Sequence, residues 1–142
     1  MHQLLQLILL ATTLALAPSA HADFYIVVEA SNPQQSLTQK QVVDLFMGRS
    51  RSFTNGEFSV LLDLPRDNPT RAEFYQALTG LSAAQVNSYW SRLMFSGRNT
   101  PPTSFKDEAT IIAMLKRNPN AIGWLSTQPT DKRLRTLLVI KR

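Results

Sequence analysis

The stretch Leu62–Leu78 (LDLPRDNPTRAEFYQAL) concentrates the groups most able to do chemistry. Arg66, Asp67, Asn68, Thr70 and Arg71 crowd the junction between an apolar, strand-like run and a helix-like one. Two guanidinium groups, an amide and a hydroxyl at a helix start are what an oxyanion needs. The first turn offers unbonded N–H groups and the positive end of the helix dipole, and the arginines add charge-assisted donors. Arg66, Asn68, Thr70 and Arg71 are therefore the candidate oxyanion ligands. The same residues also have a plainer use. Asn68 followed by Pro69 is a helix cap with proline at the first helical position, and Arg71 is close enough in sequence to pair with Asp67.

Little other chemistry is available. The only two histidines are His2 and His21, and there is no cysteine. Both histidines fall in a segment with the features of an export signal. Leu4 to Leu16 is almost wholly apolar, Pro18 interrupts it short of the roughly 18 residues of a membrane span, and Ala20-His21-Ala22 has the small-x-small cleavage pattern. Residues 1–22 are read as a signal peptide and 23–142 as one domain. The mature chain of roughly 120 residues then suits one core but not two. It has no His or Cys for triads, zinc sites or haem ligation, so no catalytic residue, metal or cofactor is expected. A carboxylate pair such as Asp63 with Glu73 is the remaining catalytic arrangement, and a binding protein is the expectation. All 15 Lys and Arg and all 10 Asp and Glu lie after Ala22, so the mature chain keeps the net charge of +5. That favours anionic partners; nucleic acid is not expected outside the cytoplasm. With no disulfides or lipid-anchoring cysteine, a Gram-negative periplasm is the expected location.

The elements that position the junction follow from composition and caps. Phe24–Glu29 (FYIVVE) reads as a buried strand. Thr38 and Gln41 form a capping box stapled by Leu37 and Val42, opening a helix that Gly48 ends. After a basic loop turning at Asn55-Gly56, Phe58–Leu64 reads as a second buried strand and Asn68 to Gly80 as a helix. A second capping box, Ser82 with Gln85, opens a third helix, with Val86, Tyr89, Trp90, Leu93 and Met94 on its core stripe as far as Gly97. Residues 97–107, with Pro101-Pro102, read as a stiff loop. A fourth helix, carrying Ile111, Ile112 and Leu115 inward, stops before Pro119. Ala121–Leu125 and Leu134–Ile140 close the chain as strands. The order β-α-β-α-α-α-β-β implies a largely parallel sheet covered on both faces, a three-layer α/β/α sandwich.

The segments SLTQKQVVDLFMGRS, LLDLPRDNPTRAEFYQALTG, YWSRLMFSGRNTPP and NPNAIGWLS together resemble the periplasmic phosphate-binding proteins of ABC transporters, in a short form with a single lobe of the type II periplasmic-binding-protein kind. The resemblance runs over nearly the whole mature chain. In that family a strand leads into an Arg and a Gly-Ser-Gly-Thr turn that holds phosphate at a helix start. Arg66 and Thr70 fall on the family's Arg and Thr. Asn68 stands in place of the Ser, and Asp67 and Pro69 in place of the glycines. The resemblance thus implies phosphate or a related oxyanion as ligand, held weakly because a single lobe leaves the site open to water and salt. The alternative is an envelope interaction module that keeps the fold without the ligand. It would use a basic face of Arg49, Arg51, Arg92 and Arg98 to dock a transporter, a sensor kinase or its own copy.

Overall fold

The computed structural model describes residues 23–142; the expected signal peptide lies outside the described residues. Five strands and four helices follow in the order β1 (Phe24–Glu29), α1 (Gln39–Phe46), β2 (Val60–Asp63), α2 (Pro69–Thr79), α3 (Ala83–Phe95), β3 (Thr103–Ser104), α4 (Glu108–Arg117), β4 (Ala121–Leu125) and β5 (Leu134–Ile140). The helices begin where side chains meet their first-turn amides. Thr38 and Ser82 form reciprocal capping boxes with Gln41 and Gln85, and Asn68 and Asp107 cap α2 and α4.

The sheet order is β3-β2-β4-β1-β5. β2 pairs in parallel with β3 and β4, whereas β1 is antiparallel to both β4 and β5. The sheet is therefore mixed, a correction to the largely parallel sheet expected from the alternation of elements. Alternation requires only that each helix cover the sheet; it does not decide which strands become neighbours, and here α1 carries the chain from β1 to β2 with β4 later inserted between them. The return from β4 to β5 runs along α4. Ser126 donates from its N–H and hydroxyl to the Glu108 carboxylate, each at 2.6 Å, and Asp131 pairs with Lys116 at 3.1 Å.

All five residues of β4 are buried, so helices cover both faces and the three-layer expectation holds. On one face a Cβ at Gly123 would stand 3.1 Å from the Ile111 side chain of α4. On the other, Trp124 stacks on Phe74 of α2, ring centroids 4.4 Å apart and 9° from coplanar, with Phe24 edge-on to both rings. Three local readings change. Phe58, expected in a buried strand, is 71% exposed, and β2 starts two residues later. Met94, expected on the core stripe of α3, is 55% exposed and the following Phe95 96%, so the last turn of that helix is left uncovered. The 97–107 loop contains the short edge strand β3, whose two exposed residues carry no apolar pattern to betray it.

Candidate functional site

The junction after β2 is a tight turn, with the Asn68 N–H donating to the Pro65 carbonyl at 3.0 Å. Asn68 then caps α2 thoroughly. Its Oδ1 accepts from the N–H groups of Thr70 at 2.9 Å and Arg71 at 3.2 Å, and its carbonyl accepts from Ala72. Pro69 has no N–H. The amides a helix start would present to an anion are thus engaged by the cap. Three polar groups keep their hydrogen-bonding capacity at the surface: the exposed Arg66 guanidinium, the Thr70 hydroxyl and the Asn68 side-chain NH₂, none of which forms a hydrogen bond among the described residues. Asp67 is exposed beside them.

Arg71 is separated from this group. It is 5% exposed, and its Nε donates to Asp63 Oδ2 at 3.1 Å while Nη1 donates to Asn87 Oδ1 at 3.0 Å. The guanidinium carbon lies 4.7 Å from the centre of the Tyr75 ring. The expected pairing of Arg71 with Asp67 is corrected: the buried Asp63 carboxylate captures the guanidinium, since a charge in the interior demands an opposite one while the exposed Asp67 is satisfied by water.

Asp63 is the centre of a closed network. Its Oδ1 accepts from the Leu64 N–H at 2.8 Å and the Trp124 indole N–H at 2.9 Å; its Oδ2 accepts from Arg71 and from the Tyr75 hydroxyl at 2.7 Å. Burial first, and the Asp63 charge second, push the Tyr75 hydroxyl well above its ordinary pKa, so it remains a donor. The glycosidase-like pairing of Asp63 with Glu73 does not form. Asp63 is shut from solvent, and Glu73 lies exposed on α2, paired with Arg142 at 2.7 Å. Sequence reasoning missed this network, although an Asp inside an apolar strand and an Arg and a Tyr four residues apart on one helix face were signals of it. Among the described residues no group of acidic, His or Cys side chains is placed to hold a metal, and no helix is long and apolar enough to cross a membrane.

No family model matches this chain, and no curated protein sequence matches it. Solved structures do. An ABC-type phosphate transport receptor from Vibrio cholerae superposes with a TM-score of 0.60 at 17% identity, over 81% of this chain and 45% of the receptor. A phosphate ABC transporter substrate-binding protein with bound phosphate from Clostridium perfringens superposes with a TM-score of 0.64 at 18% identity, over 81% of this chain and 44% of its own. The chain therefore has the fold of a lobe of such substrate-binding proteins and spans less than half their length.

Proposed function

We propose that this chain is an exported, periplasmic phosphate-binding-protein-like domain that contacts phosphate or a related oxyanion weakly through Arg66, Thr70 and the Asn68 side-chain amide, in ABC transport or in sensing. The observation that carries this reading is the presence, in a fold shared with phosphate-transport proteins, of these three unengaged polar groups at the start of α2. The contact is open and relies on side chains, so salt weakens it. Arg71 acts beneath it as a positioning residue by tying α2 to β2.

Thermal unfolding with phosphate, at an ionic strength matched with chloride, tests the reading. A ligand at about 100 times its Kd stabilises the fold by roughly 2.7 kcal/mol, and Arg66→Ala and Thr70→Val should each remove that shift. An unmoved wild-type midpoint overturns the oxyanion reading.

A second reading, the interaction module, is favoured by the engagement of the first-turn amides with Asn68, which leaves no backbone cradle. Its expected basic face narrows, because Arg49 lies 3.6 Å from Asp44, leaving Arg51, Arg92 and Arg98 as its unpaired members among the described residues.

A further inference from the structure

At the opposite end of β2 from the α2 junction lies a groove of about 720 Å³, walled by the 48–51 turn, the start of β2, the end of α3 and the 97–103 segment. Three side-chain bonds hold these walls together. Arg51 Nη2 donates to the Arg98 carbonyl at 3.0 Å, Asn99 Nδ2 to the Gly48 carbonyl at 2.8 Å, and the Tyr89 hydroxyl to the Met47 carbonyl at 2.5 Å. Gly48 (φ +74°) is required where the walls meet, since a Cβ there would lie 2.6 Å from Asn99 and 2.7 Å from Trp90.

This groove gathers apolar surface that the fold leaves uncovered. Phe58, Val60 and Met94 line it exposed. They are three of the five large hydrophobic side chains exposed among the described residues. Trp90 forms part of the wall, and its buried indole N–H has no acceptor among the described residues. The charge is of one sign: Arg51 and Arg98 line the groove, and no Asp or Glu is among the lining residues. Clustered exposed aromatic and Met side chains with arginine are the composition of a protein-binding surface.

We infer that this groove docks a segment of another protein in which apolar side chains are flanked by Asp or Glu. This rests only on the docking half of the interaction-module reading, a basic face that binds another protein, and holds whether or not the α2 junction also takes an anion. Charge decides the occupant: a second copy seated symmetrically would bring Arg51 and Arg98 of both copies together, whereas a carboxylate-flanked segment pairs with them. Concavity favours an inserted side chain over a flat lipid surface.

The test is selection of a displayed library of random 12-residue peptides on the purified protein, followed by measurement of each enriched peptide's binding to the protein and to a Met94→Asp/Arg98→Glu variant. Both positions are exposed, and thermal unfolding checks that the variant is folded. Enriched peptides should combine aromatic or aliphatic residues with Asp or Glu. Phe58→Ser or Arg98→Glu should each weaken their binding about tenfold or more, and binding should fall as NaCl rises. In an NMR titration the Trp90 indole signal should move while that of Trp124, bonded to Asp63, stays. Enriched peptides that bind the groove variants unchanged overturn the groove but leave the module reading standing; no enrichment overturns both. Binding to vesicles of equal phosphatidylglycerol and phosphatidylcholine, lost in Phe58→Ser, with no peptide enriched, identifies a lipid-facing surface and overturns the proposal.

Discussion

Removing the Arg71 side chain asks whether that residue is a ligand group or a buried counter-ion. In Arg71→Ala, Asp63 would keep three donors, the Leu64 N–H, the Trp124 indole and the Tyr75 hydroxyl, but lose the only positive charge bonded to it. The Asp63 side chain is 3% exposed, so water cannot replace the lost guanidinium. Breaking a buried pair from one side costs about 3–5 kcal/mol, a large part of the roughly 5–15 kcal/mol that holds a domain folded. Urea unfolding followed by Trp fluorescence reads this directly, because Trp124 is part of the network. A double-mutant cycle sharpens the attribution: in an Asp63→Asn background the same Arg71→Ala change should cost much less, since the buried charge it neutralises is gone. A loss below about 1 kcal/mol in the single variant, as for an exposed pair, would refute the assignment and return Arg71 to the candidate ligands.

Other perturbations give separable outcomes. Asn68→Ala should destabilise the protein by about 1 kcal/mol in phosphate-free urea, because it removes the α2 cap, and by more in phosphate, because it also removes one of the anion's donors. Trp90→Ala should cost about 3–5 kcal/mol by the same measurement, as large-to-small aromatic core changes do; a stability equal to wild type would mean that the indole does not pack under Gly48. Tyr75 governs alkaline behaviour. Its folded pKa lies well above the ordinary 10.0, so its contribution is complete below about pH 10 and declines as pH rises above that. Unfolding free energies measured from pH 8 to 12 should show this decline in wild type and a shallower one in Tyr75→Phe.

The helix starts were the most legible features of the chain. Thr38-Gln41, Ser82-Gln85 and Asn68-Pro69 state their caps within four residues, and local hydrogen bonding alone is enough to read them. Strand direction was not legible, because β1 meets β4 and β5 only across most of the chain and nothing in FYIVVE or LRTLLVI encodes orientation. The site was half legible. The crowd at 66–71 was visible as a cluster, yet which arginine turns inward depends on Asp63, and its burial follows from the packing of Trp124 and Tyr75 around it. The groove was invisible as such, since Phe58 and Met94 have the residue types of core positions and only the assembled layers show that nothing covers them.

Anion contact at the start of α2 is read most directly by a ¹⁵N-resolved NMR titration of the protein with inorganic phosphate, referenced against chloride at the same ionic strength. Phosphate should produce saturable, salt-sensitive shifts confined to the backbone of residues 66–71, the Asn68 side-chain NH₂ and the Arg66 guanidinium, with the Asp63-bonded Trp124 indole unmoved. Shifts that match the chloride reference, or that centre on residues away from the start of α2, would contradict that contact.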